Sequence, residues 1–88
     1  MSEKTDVTLT INGTTLKFSV GSEDQERLID ELKTDSKVAP MHNFLTRTVD
    51  QESKEGLKPF LKMPAAVMQI GEKVVESSTP AIKITVGE

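Results

Sequence analysis

Eighty-eight residues give room for one small domain, residues 1–88, and a chain this short buries only about 60% of the surface its unfolded form exposes, which excludes a two-domain enzyme. Cysteine is absent, so there is no disulfide framework, thiolate nucleophile or thiolate metal site. A hydrophobic share of 35%, three Phe as the only aromatics, one His and a net charge of −3 predict a modest aliphatic core and argue against a nucleic-acid binder, which normally carries a basic face.

Residues 1–5 are polar and are expected to fray. Val7, Leu9 and Ile11 then alternate with Asp6, Thr8 and Thr10, and Leu16, Phe18 and Val20 alternate with Thr15, Lys17 and Ser19. This is the period of a strand with one buried face. Asn12-Gly13 between them tolerates the positive φ of a type I′ turn, so residues 6–20 are read as a β-hairpin.

Helices are expected over 22–78. Ser22 with Gln25 fits a capping box, and Leu28, Ile29 and Leu32 form the apolar stripe of the helix that follows. Pro40 suits the first turn of a second helix, in which Met41, Phe44, Leu45, Thr48 and Val49 fall on one face. From Asp50 to Met63 a third helical pattern can be capped by Asp50 or Ser53 and carries Leu57, Phe60 and Leu61; Pro59 should kink it or divide it in two. Pro64 opens a last helix with Val67, Ile70, Gly71 and Val74 inward, stopped by Thr79-Pro80. Ile82, Ile84 and Val86 alternate again, giving a C-terminal strand over 81–87 placed beside the first strand, in the order 2-1-3. The fold class is α+β: a small antiparallel sheet, the N-terminal hairpin plus the C-terminal strand, covered on one face by three or four helices.

The site chemistry is sparse. A single His excludes a two-His metal motif, the acidic residues lack calcium-loop spacing, and the glycines are too scattered to cradle a phosphate, so no metal, cofactor or catalytic residue is expected. No Ser sits in a nucleophile elbow, and the chain is read as not an enzyme. No apolar run approaches the roughly 20 residues of a bilayer span, so no membrane association is expected and the location is read as cytoplasmic.

Charge is unevenly placed. Glu23, Asp24, Glu26, Asp30, Glu31 and Asp35 face only Arg27 and Lys33 in the first helical region, whereas Lys37, Arg47, Lys54, Lys58 and Lys62 dominate the next. That polarity would suit head-to-tail association of copies, or reflect ordinary solvated helix faces. Two candidate binding features stand out. Lys54, Lys58 and Lys62 recur every four residues and would line one stripe for an anionic partner if the helix continues through Pro59; the plainer reading is a solvated face. His42, Asn43, Thr46 and Arg47 share the polar face of the second helix and together offer an imidazole, an amide, a hydroxyl and a guanidinium fork suited to a carboxylate or a peptide backbone. Alternatively, Asn43 and Arg47 bond each other or neighbouring loops.

The run Lys37-Val38-Ala39-Pro40-Met41-His42-Asn43-Phe44-Leu45-Thr46-Arg47-Thr48-Val49 resembles the hallmark of the tail assembly chaperones of long-tailed phages and prophages of gammaproteobacteria. Lys37, Val38, Ala39, Pro40, His42, Asn43, Phe44 and Leu45 carry the specific part. Glu52 to Leu61, Pro64 to Ile70 and Thr79-Pro80 follow as further landmarks in the same order; Gly56 departs from the good helix former expected there. The resemblance implies a non-catalytic protein of the host bacterial cytoplasm that coats the tape measure protein and recruits tail tube subunits, with a longer frameshifted form in some members. Self-association as a homo-oligomer would multiply weak sites along the tape measure protein, and Met41, Met63 or Met68 are candidate contacts to its helices, with ordinary core filling the plainer reading of each. The competing readings are a small prophage-encoded regulator or adaptor that binds a host protein, and a minor protein that stays in the finished tail.

Overall fold

The computed structural model describes residues 4–32, 37–79 and 87. Strands β1 (Lys4–Ile11) and β2 (Thr14–Gly21) form an antiparallel hairpin in which Val7 faces Phe18 and Leu9 faces Leu16. The expected turn is present: Asn12 and Gly13 have φ of 50° and 84°, the pair of positive values whose twist matches the flanking strands. Pairing extends beyond the expected start, because Lys4 and Thr5 lie opposite Gly21 and Val20. The expected C-terminal strand, and with it the order 2-1-3, lies outside the described residues.

Among the described residues four α-helices follow: α1 (Ser22–Glu31), α2 (Val38–Thr48), α3 (Lys54–Leu61) and α4 (Pro64–Ser78). The result is an α+β fold, with helices packed on the apolar face of the hairpin. Its core joins Leu16, Phe18 and Val20 of β2 to Phe44 and Leu45 of α2, Leu57 of α3 and Val67, Ile70 and Val74 of α4. The apolar positions expected on α2 and α4 are all buried there, including Thr48, whose Oγ1 donates to the Phe44 carbonyl at 2.8 Å and so needs no water.

Three local features differ from the sequence reading. Helix α1 is capped one residue early, at Gly21, because β2 runs directly into it; Asp24, not Gln25, reaches back, its Oδ2 accepting the Gly21 N–H at 2.9 Å. Gln25 instead donates from Nε2 to Ser78 Oγ at 2.9 Å, tying α1 to the end of α4. Ile29 leaves the expected stripe: Leu28 is buried and Leu32 half-buried, but Ile29 is 62% exposed, since it lies a helical step of about 100° from Leu28.

Pro59 neither divides nor ends α3. It sits exposed at the sixth residue of the helix, which continues through it to Leu61. The break falls upstream, where Gln51–Ser53 form a separate 3-10 turn. Neither Asp50 nor Ser53 caps through its side chain; the Ser53 hydroxyl accepts the Lys17 N–H at 2.9 Å, while the Asp50 N–H donates to the Lys17 carbonyl at 2.8 Å. With the single bridge between Phe18 and Val49, these bonds occupy part of the outer edge of β2.

Gly56 has a packing reason. A Cβ there would lie 2.9 Å from Leu16 Cδ2 and 3.1 Å from Thr14 Cγ2, so only Gly lets α3 approach β2 this closely. Gly56→Ala gains about 1 kcal/mol of helix propensity, but it pushes on a fully buried Leu16, an overpacking cost of about 1–3 kcal/mol. The expected outcome is a net loss of about 1 kcal/mol, read as a lower urea midpoint at unchanged slope.

Candidate interaction surface

Helix α2 is central, and its two flanks carry different chemistry. On one side Arg47, in the last turn, turns toward α1: its Nε donates to Asp24 Oδ1 at 3.2 Å and its Nη2 to the Asp24 carbonyl at 3.2 Å. Both side chains are largely shielded, at 23% and 17% exposure, and the guanidinium lies 6.0 Å from the Phe44 ring centroid. The partner of Arg47 is therefore Asp24 of the neighbouring helix and not Asn43.

On the other side Thr46 turns toward α3. Its Oγ1 donates to the His42 carbonyl at 2.9 Å, and with Lys54 and Lys58 it walls a groove floored by Val49, Leu57 and Leu61. Asn43 is exposed between these two side chains, and His42 is half-buried one turn before Thr46. The four residues expected as one patch thus differ in setting: Arg47 is held in the α1 contact, Thr46 walls the groove, Asn43 is exposed and His42 half-buried.

The lysine stripe is continuous, because α3 runs through Pro59. Lys54, Lys58 and Lys62 are all exposed, and Lys58 pairs with Glu55 at 3.0 Å, an exposed ion pair of small energetic weight. The sequence patterns that suggested a polar face on α2 and a cationic stripe on α3 therefore meet in one apolar groove with a basic rim. Such a groove suits an amphipathic segment presenting an aliphatic side chain beside carboxylates.

Of the three methionines considered for partner contact, Met41 is buried against Gly71 of α4 and Met68 packs on the core; Met63, 46% exposed, is the one left at the surface. A second groove, between β1 and α4, is lined by Leu9, Ile11, Gln69, Ile70 and Lys73. Sequence reasoning missed it because Leu9 and Ile11 read as ordinary core positions; in the structure they are only half-buried. Among the described residues no group of acidic or His side chains is placed to hold a metal ion, and no helix is long and apolar enough to cross a membrane.

A family profile described as "Phage tail assembly chaperone" matches residues 7–88. The chain belongs to the phage tail assembly chaperone family. It is also 30% identical over 83 residues to an uncharacterized 11.3 kDa protein in the lys 3′ region of Haemophilus phage HP1 (strain HP1c1), an alignment covering 94% of this chain and 81% of that protein. No solved structure matches. The run that carries the resemblance, Lys37 to Val49, is the whole of α2 with its flanking residues. In this tail assembly chaperone much of that run serves the fold: Pro40, Met41, Phe44, Leu45, Thr48 and Val49 are buried, and Arg47 is bonded to α1. Lys37, Asn43 and Thr46 are polar residues of the run that stay exposed.

Proposed function

We propose that this chaperone binds the tail tape measure protein before tube polymerisation in the host bacterial cytoplasm and recruits tail tube subunits to it, without catalysing a reaction. The family supports a role in tail assembly. The observation that carries the finer reading is the surface around α2 and α3, where an apolar groove lies beside exposed polar and cationic residues. His42, Asn43, Thr46, Lys54, Lys58 and Lys62 form the partner-binding surface; Arg47 supports it from below by fixing α2 against α1. A long, largely helical client offers repeated apolar and charged stripes, and many weak contacts along it add up to firm occupancy.

Co-expression with a tape measure fragment and the tube protein from the same phage genome tests this. Both are expected to co-purify with the wild-type chain, and recovery of neither overturns the proposal; capture of a host protein in their place would favour the adaptor reading. His42→Ala combined with Asn43→Ala is expected to lower tape measure recovery at least about fivefold, about 1 kcal/mol of binding, while circular dichroism shows the fold retained.

A further inference from the structure

The groove between α2 and α3 is small. Its space is about 150 Å³, with Val49, Leu57 and Leu61 below and Thr46, Lys54 and Lys58 at the sides. An apolar space of about that size holds one benzene-sized group, whereas a drug-sized ligand or a cofactor takes about 300–1,000 Å³. The occupant that fits is therefore a single side chain presented from outside. Leu57 is fully buried and closes the bottom, so the accessible apolar contact is half-buried Leu61 with the methylene stems of the two lysines.

The rim gives the surroundings of that side chain a sign. Lys54 and Lys58 are exposed one turn apart beside the pit. Lys58 is paired with Glu55, but the two side chains are 62% and 85% exposed, so another carboxylate can take the place of Glu55 at little cost. The groove between β1 and α4 is different: its lining cation is Lys73, which pairs with Glu76 at 3.6 Å.

We infer that the α2/α3 groove recognises an acidic amphipathic helix of the client, with one aliphatic side chain in the pit and two carboxylates, four positions apart, on Lys54 and Lys58. The charge of the rim and the size of the pit together select this occupant. Two lysines four residues apart stand about 6 Å apart along the helix axis, a repeat that every α-helix shares, so carboxylates at i and i+4 of the client match them in either direction. The aliphatic anchor then falls between them, on the neighbouring stripe. It stands at i+3 in an antiparallel client, the spacing of Leu57 after Lys54 on α3 itself, and at i+1 in a parallel one. This rests on the proposed role in holding the tape measure protein and states the chemistry of the segment that is held.

The test uses the full chain and synthetic peptides, so that its failure is distinct from failure of the proposed function. Labelled alanine-based peptides of about 18 residues, long enough to be helical alone, are titrated by fluorescence anisotropy at about 50 mM salt. One carries Glu at i and i+4 with Leu at i+3, and the other has Leu at i+1. At least one of them is expected to bind about tenfold tighter than its counterpart with Lys in place of Glu, and about tenfold tighter than its counterpart with Ala in place of Leu. Lys54→Glu with Lys58→Glu is expected to reverse the charge preference, so that the Lys peptide binds better, while circular dichroism stays unchanged. An unfolded variant could not produce that reversal. Acidic peptides that bind no tighter than basic ones overturn the inference, and so does a preference that the double variant leaves unreversed. If a tape measure fragment co-purifies with the chain but the acidic peptide fails to displace it, the inference falls and the proposed function stands. If the peptides behave as expected and no tape measure protein is recovered, the proposed function falls and the peptide preference of the groove stands.

Discussion

Replacing Gly71 with Val is expected to lower stability by about 2 kcal/mol or more. The cause is local and specific. A Cβ at Gly71 would fall on the Sδ and Cγ of Met41, so α4 crosses α2 with backbone against side chain and no room between them. Met41 is itself buried in the same core as Ile70, Phe44 and Leu45, where close packing leaves little room for another rotamer. At roughly 0.05–0.15 kcal/mol per residue, a chain of this length has a total stability of only about 4–13 kcal/mol, so the loss is a large fraction of it. Thermal denaturation should show a midpoint lower by about 10 °C, given a shift of about 4–8 °C per kcal/mol for a domain of this size. Gly71→Ala is expected to lose less, and pairing it with Met41→Ala should cost less than the sum of the two single changes, because truncating Met41 makes the space that the new methyl group needs. Additive losses would contradict the close crossing.

The second large effect is expected at Asp24 and Arg47. Asp24 serves the end of one helix and the side of another: Oδ2 accepts the Gly21 N–H, Oδ1 accepts Arg47 Nε, and its carbonyl accepts Arg47 Nη2. Asp24→Ala removes the back-bonding carboxylate at the start of α1 and leaves a mostly shielded guanidinium without its carboxylate, a loss of about 2–3 kcal/mol. Arg47→Ala is expected to cost about 2 kcal/mol through the same network, and the double variant should cost clearly less than the sum. The functional readout separates structure from recognition. If Arg47 holds α2 in place, Arg47→Ala lowers the melting temperature and leaves tape measure binding per folded molecule near wild type; lost binding with an unchanged melting temperature would make it a contact residue instead.

These residues also show what the amino-acid order makes legible. The hairpin follows from period-two alternation around Asn12-Gly13, and the buried face of α2 from apolar residues at helical spacing, because both signals are local. The partner of Arg47 was not legible: Asp24 lies 23 positions away on another helix, while Asn43, four positions away, was the obvious local candidate. The start of α1 was missed for a related reason. Ser22 and Gln25 satisfy the capping pattern as written, but β2 delivers the chain to Gly21 already extended, so the helix begins there and Asp24 takes the role. Ser53 likewise reads as a helix cap and instead bonds Lys17 across the sheet edge.

The candidate surface was half legible. The lysine stripe and the polar residues of α2 could each be read from spacing, but their meeting in one groove depends on how α3 packs beside α2, which rests on Gly56 lying against Leu16. Gly56 looked out of place as a helix residue for the same reason that it is needed in the tertiary structure. The run that carries the resemblance to tail assembly chaperones is part interior and part surface, with Pro40, Phe44 and Leu45 buried but Lys37, Val38, Ala39 and Asn43 exposed, so it bears on the packing of α2 and on its outer face alike.

A chaperone that holds the tape measure protein only during assembly can be followed by quantitative mass spectrometry through one round of phage production. The chain is expected to be recovered with tape measure protein when tube polymerisation is blocked and to be absent from purified finished particles. Recovery in finished tails at a fixed ratio to the tube protein, or no association with the tape measure protein in the blocked state, would contradict it.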